Sequence, residues 1–141
     1  MLPQQFNWTC SICATCHTLQ MTGLDPYTSR EKVALQLGWD CVDPYSGLKD
    51  TQCLVRLLGS YGVEARQEWV EWDRAYQVCS ETAGVLNGLG YYHFVSIRGI
   101  SGDSLWVGNS ALGYRGIQGT INRDQFENWG LGPWQVVYLV R

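Results

Sequence analysis

Residues 92–109 read Tyr92-His93-Phe94-Val95-Ser96-Ile97-Arg98-Gly99-Ile100-Ser101-Gly102-Asp103-Ser104-Leu105-Trp106-Val107-Gly108-Asn109. Two alternating apolar runs flank Ile100-Ser101-Gly102, and alternation of that kind buries one face only as a β-strand. Gly102 suits the left-handed third position of a three-residue hairpin loop, Ile100–Gly102. That register pairs Gly99 with Asp103, Ile97 with Leu105, Val95 with Val107, and His93 with Asn109. Ile97, Leu105, Val95 and Val107 then share one face. His93 and Asn109 stand at its far end, with Cβ atoms about 5 Å apart. Phe94 and Trp106 fall on the opposite face and are expected in the core. An imidazole beside an amide is a base beside a group able to orient it. Taken alone, the pair equally fits a histidine satisfied within the sheet, with Asn109 opening a turn. A loop one residue longer sets His93 against Ser110 and loses the match of faces.

The rest of the second half continues in strands, over Val63–Trp69, Gly84–Leu86 and Trp134–Val140. Short helices fit Trp72–Cys79 and Arg123–Trp129, the latter with Asn122 as cap. The first half reads as helical. Thr9 can cap a helix from Cys10 to about Met21, with Gly23 as its stop. Thr28 and Glu31 form a capping-box pattern ahead of a second helix that ends at Gly38. Asp50 can cap a third, through Leu54, Leu57 and Leu58, ending near Gly62. Residues 40–49, with Asp43-Pro44 and Ser46-Gly47, are a loop. Helices first and antiparallel strands afterwards give an α+β fold, N-terminal helices packed on a C-terminal sheet.

The 141 residues contain no repeat or linker and form a single domain, 1–141. A chain of this length buries roughly two-thirds of its unfolded surface. Seven Trp and eight Tyr call for an aromatic, partly polar core. A net charge of −3 without a basic run argues against nucleic acid as a partner. No apolar stretch approaches the ~18 residues of a membrane span, so no membrane partner is expected. The N-terminus lacks the basic start and apolar run of a signal peptide. A monomer made in the cytoplasm, or a segment of a longer protein, is the expectation. Nothing implies an oxidising compartment, so the six cysteines are expected to be mostly free thiols.

Three of those cysteines, Cys10, Cys13 and Cys16, lie within seven positions, next to His17. Cys13-Ala-Thr-Cys16-His17 matches the haem-attachment pattern. An aromatic sheet is not the helical wrap usual for that cofactor, and no late Met offers a sixth ligand, although His93 could. Iron–sulfur ligation lacks a fourth Cys at the required offset. Zinc would need a fourth ligand from Cys41, Cys53, Cys79 or a histidine. No cofactor and no metal is therefore expected. Cys13 and Cys16 also fit as small core hydrophobes. A nucleophile reading uses more of the chain. A cysteine in the first turn of a helix sits at the positive end of the helix dipole, which favours thiolate. A nearby imidazole reinforces it, and Gln4, six residues before Cys10, can add its amide to backbone N–H groups around an oxyanion.

In that order — Gln, six residues on a helix-starting Cys, a distant His in a strand, Asn in the next — the chain resembles papain-like cysteine peptidases. The spacing of sixteen between His93 and Asn109 resembles the bacteriocin-leader-processing peptidases, where the third member is usually Asp. More closely, Trp8-Thr9-Cys10-Ser11, Tyr92-His93-Phe94, Leu105-Trp106-Val107-Gly108-Asn109-Ser110-Ala111 and Gly113-Tyr114-Arg115-Gly116 resemble the N-terminal peptidase domains of mycobacteriophage endolysins. The resemblance implies a papain-like fold with Cys10 as nucleophile, His93 as base and acid, Asn109 as its orienter, and Gln4 in the oxyanion hole. Papain's own Cys-Gly-Ser-Cys pattern would make Cys13 the nucleophile, with Asn7 replacing Gln4. The helix cap and the Gln4 spacing favour Cys10. Trp8, Tyr92 and Arg115 are candidate substrate contacts. The resemblance further implies hydrolysis of an amide in bacterial peptidoglycan during phage lysis, the enzyme being made in the host cytoplasm and acting on the cell wall. Cleavage of a protein leader, or a catalytically inactive binding module, are the alternatives.

Overall fold

The structure, a computed structural model, describes residues 14–15, 18–19, 42–43, 47–48, 51–88, 93–108, 118–128 and 134–140. Its centre is a six-stranded antiparallel sheet: β3 (Ala65–Val70), β4 (Gly84–Gly88), β5 (His93–Ser101), β6 (Ser104–Gly108), β7 (Gln118–Ile121) and β8 (Trp134–Leu139). The spatial order is β3-β8-β4-β5-β6-β7. A two-residue ladder, β1 (Val42–Asp43) with β2 (Gly47–Leu48), lies inside the stretch expected to be a loop. Three helices are delimited: α1 (Gln52–Ser60), α2 (Trp72–Glu81) and α3 (Arg123–Asn128). Ala14, Thr15, Thr18 and Leu19 are also helical and fully buried, as the expected N-terminal helix requires. The second expected helix, ending at Gly38, lies outside the described residues.

Both faces of the sheet are covered, and side-chain alternation assigns each residue to one of two cores. One core joins Ala14 and Leu19 to Cys53, Leu54, Leu57 and Leu58 of α1, and to Val85, Phe94, Val137 and Leu139 of the sheet. The other joins Trp72, Ala75, Val78 and Cys79 of α2 and Phe126 of α3 to Leu86, Val95, Ile97, Leu105, Val107, Trp134 and Val136. Neighbours such as Val85 and Leu86, or Phe94 and Val95, thus point into opposite cores. In the second core Phe126 stacks on Trp134, with centroids 4.4 Å apart and planes at 19°. Trp72 meets Phe126 edge-on at 5.4 Å.

The caps explain the helix limits. Asn122 Oδ1 accepts from Gln125 N (2.8 Å), while Gln125 Oε1 accepts from Asn122 N (3.0 Å), a reciprocal capping box at the expected residue. Helix α1 departs from expectation. Thr51, not Asp50, is its cap residue, and the Thr51 side chain makes no capping bond. Buried Leu54, Leu57 and Leu58 hold that helix in place of a cap.

The β5–β6 hairpin corrects the expected register. Its loop has two residues, Gly102 and Asp103, between the paired Ser101 and Ser104. A bulge then intervenes between Ile97 and Gly99, so that Ile97 pairs with Val107 and Ser96 with Gly108. Gly99 pairs with Trp106 rather than Asp103. Arg98 is the residue skipped in the ladder, and Gly99 beside it has φ 154°, a conformation that favours glycine. Cys79 donates its S–H to the Gly99 carbonyl at 2.7 Å and tethers the bulge to α2. Between the turn and the bulge the ladder is displaced by three residues from the expected one, and beyond the bulge by two, an even displacement that keeps Val95 and Ile97 on their expected face. Val95, Ile97, Leu105 and Val107 accordingly share one core as expected. Phe94 is core as well, but Trp106 is half-buried, with the Arg98 guanidinium 5.0 Å above its ring.

Gly84 marks the tightest point of the sheet. A Cβ there would lie 2.3 Å from the Val137 carbonyl oxygen and 2.9 Å from Tyr138 Cα, both backbone atoms that cannot swing aside. Gly84→Ala is expected to destabilise the protein by about 1–3 kcal/mol, because β8 must shift away from β4. Urea unfolding of the two proteins should show a lowered midpoint with an unchanged slope.

Candidate active site

The sheet presents one end as a row of paired residues. Val70 pairs with Trp134, Trp134 with Gly88, and Gly88 with His93. His93 is therefore the first residue of β5, hydrogen-bonded within the ladder to β4. The N-terminal helix reaches the same strand from the side. Thr18 Oγ1 lies 2.9 Å from the Ala14 carbonyl and 3.0 Å from the Gly84 carbonyl, and its single hydroxyl proton is shared between them. This contact joins the helix that follows Cys10 in sequence to the strand that pairs with His93.

Of the expected site residues, only the backbone of His93 falls within the description. Gln4, Trp8, Cys10, Cys13, Tyr92, Asn109 and Arg115 lie outside the described residues. The expected His93–Asn109 pair rested on the hairpin register that the observed ladder replaces, since Ile97 faces Val107 and not Leu105.

Two other cysteines are assigned. Cys53 is disulfide-bonded, with its partner outside the described residues, so two of the six cysteines are not free thiols. Arg56 Nη2 donates to its sulfur at 3.1 Å. Cys79 is a free thiol, 1% exposed. Burial pushes its pKa up, against the smaller opposing effect of hydrogen bonds to Gly99 and its neighbours. A protonated, buried thiol engaged with a carbonyl is a poor nucleophile. Cys53 and Cys79 are thus unsuited to acyl transfer. Folded protein should leave Cys79 unlabelled by iodoacetamide near neutral pH, and mass spectrometry of the digest would show this.

One polar cluster escaped the sequence reading. Arg74 Nε and Nη2 donate to the two Glu68 carboxylate oxygens at 3.0 and 2.8 Å, a bidentate pair. The Tyr138 hydroxyl donates to the same carboxylate in a short hydrogen bond. Arg74 lies 5.9 Å from the Tyr138 ring centroid. The three residues come from α2, β3 and β8, so only the antiparallel pairing of β3 with β8 brings them together. Six residues separate Glu68 from Arg74, across the break between strand and helix, and no periodic signal announces that contact. The Arg74 guanidinium, and secondarily the Tyr138 hydroxyl, hold the Glu68 carboxyl down at about 2, from an ordinary 4.5.

A depressed carboxylate contributes stability that is complete above its unfolded pKa and is lost as pH falls through its folded value. For Glu68 that window runs from 4.5 down to about 2. Both side chains are about a third exposed, so solvent screening reduces the contribution to about 1 kcal/mol. Glu68→Gln should flatten the pH dependence of the melting temperature in that interval.

No family model and no curated protein matches the sequence. Solved structures do. The chain superposes on a double glycine motif protease from an AMS/PCAT transporter, solved in complex with the leader peptide, with a TM-score of 0.75 and 14% identity over 100% of this chain and 91% of that one. It superposes on the peptidase domain of Streptococcus ComA at 0.74 and 12% identity, over 99% and 97%. A C39-like peptidase from Bacillus anthracis matches at 0.66 and 14% identity, over 100% and 94%. The fold is papain-like. The expected α+β architecture, helices against an antiparallel sheet, is the architecture of these peptidase domains.

Proposed function

We propose that the protein is a papain-like cysteine peptidase that hydrolyses an amide bond in a peptide substrate, with Cys10 and His93 as its reacting pair. The observation that carries this is the Thr18–Gly84 contact on the strand that pairs with His93. The helix expected from Cys10 would rise about 12 Å over the eight positions to Thr18. Four residues of strand from Gly84 to Gly88 advance about 13 Å. A helix running antiparallel along β4 would bring Cys10 level with His93. The disulfide at Cys53 and the buried proton of Cys79 remove two competing thiols.

In this scheme the Cys10 thiolate attacks the carbonyl carbon, and the Gln4 amide and the Cys10 N–H bind the oxyanion. His93 protonates the leaving amine, then takes a proton from the water that releases the acyl-enzyme. Asn109 orients the imidazole. Trp8, Tyr92 and Arg115 would flank the substrate.

Two substrate readings differ in their support. Cleavage of a leader peptide after a double glycine is supported by the structural neighbours, one of which holds such a peptide. Cleavage of peptidoglycan peptides in phage lysis, by an enzyme made in the host cytoplasm, is supported by the endolysin-like motifs around Cys10, His93, Asn109 and Arg115. A double-glycine peptide panel and purified cell walls, assayed side by side, separate the two.

Cys10→Ala is expected to abolish hydrolysis of whichever substrate is cut, by at least a factor of about 10³, while Cys13→Ala retains it. Full activity in Cys10→Ala would transfer the nucleophile to Cys13. Loss of fast, site-selective iodoacetamide labelling in Cys10→Ala distinguishes an activated thiolate from an inert binding module.

A further inference from the structure

The row that begins with His93 leads into a groove. Val70 and Trp134, from that row, form part of its wall. Among the described residues the remaining lining is Glu71, Trp72, Asp73, Arg123, Phe126 and Glu127. Its volume is about 510 Å³, within the range of small-ligand sites. The floor is apolar and aromatic, made by the largely buried rings of Trp72, Phe126 and Trp134. The rim is acidic. Arg123 is held by Glu127 at 2.9 Å, whereas neither Glu71 nor Asp73 has an ion-pair partner among the described residues. Glu71 stands at the cap position of α2, yet its side chain makes no capping bond. Both carboxylates are exposed at the groove mouth.

We infer that this groove receives a basic side chain, Lys or Arg, of the peptide that the proposed peptidase cleaves. The chemistry fits on two counts. An aliphatic stem ending in a cation can lay its methylenes on apolar surface and keep its head at the rim. Glu71, which has no ion-pair partner among the described residues, and Asp73, which also faces Arg123, supply the countercharge. The position fits too. Trp134 and His93 are two strands apart on one row, about 10 Å between backbones, and the residue between them, Gly88, carries no side chain. An extended peptide covers that distance in about three residues. The preferred basic residue therefore lies about three positions from the scissile bond.

This inference rests on the peptidase reading for the words "scissile bond", but its test does not require turnover. Tryptophan fluorescence of the Cys10→Ala protein reports binding directly, since Trp72 and Trp134 line the groove. The probes are Ac-Lys-Ala-Gly-Gly-Ala-amide and its norleucine counterpart, which has the same stem without the charge. The lysine peptide is expected to bind about fivefold or more tightly than the norleucine peptide at low salt, with the difference shrinking at 0.5 M salt. Glu71→Gln/Asp73→Asn should erase the preference. Glu81→Gln, an exposed change of charge at the other end of the same helix, should preserve it. Equal binding of the two peptides by the Cys10→Ala protein, or a preference that survives in the double variant, overturns the inference. A lysine preference in a protein that hydrolyses no substrate would uphold the groove and sink the peptidase reading. Hydrolysis without the preference would do the reverse.

Discussion

Strand β4 is flanked by β5 on one edge and β8 on the other, and it is covered on both faces. Val85 enters one core and Leu86 the other. The close approach at Gly84, where no Cβ would fit, lets β8 lie against it. The Gly84 carbonyl receives Thr18 from the N-terminal helix. One five-residue strand therefore connects the helix that follows Cys10, the strand that starts at His93, and the β3–β8 pair at the edge of the sheet. Burial on both faces explains why Gly84-Val85-Leu86 is an apolar run without alternation, although both neighbours of β4 are antiparallel.

Much of the second half was legible because its pattern is local. Helix α2 begins at Trp72 as expected, and Asn122 caps α3 as expected. The two faces of the hairpin were also legible. Its register was not. A three-residue loop without a bulge and a two-residue loop with one differ by an even number of positions, so both satisfy the same burial pattern. Alternation alone cannot choose between them. The two-residue ladder of β1 and β2 was missed because Asp43-Pro44 and Ser46-Gly47 signal a turn far more strongly than two residues signal a strand. Trp106 was misjudged because sheet alternation says which face a ring occupies, not whether a helix covers it.

For the site, the sequence supplied a chemistry and the fold an architecture, while its residues other than His93 lie outside the described ones. Residue types and spacings pointed to acyl transfer, and the fold is that of peptidase domains that cover nearly the whole chain at 12–14% identity. Identity that low transmits architecture through burial pattern, not through side-chain identity. The Glu68–Arg74–Tyr138 cluster depends on a partner 70 positions away in sequence. A cysteine count of six permits a disulfide but does not name it.

The bulge at Gly99 works as a phase corrector. The turn at Gly102-Asp103 sets one parity of pairing, and the extra residue inverts it before Ile97 is reached. The half of β5 that carries Val95 and Ile97 is therefore in step with Leu105 and Val107 only because one residue is skipped. Deleting Arg98, the skipped residue, would close the bulge into a regular ladder in which Gly99 and Ile97 still meet Trp106 and Val107 in turn. The bulge is therefore the one place in the hairpin where a residue can be lost without turning over the half of β5 that begins at His93.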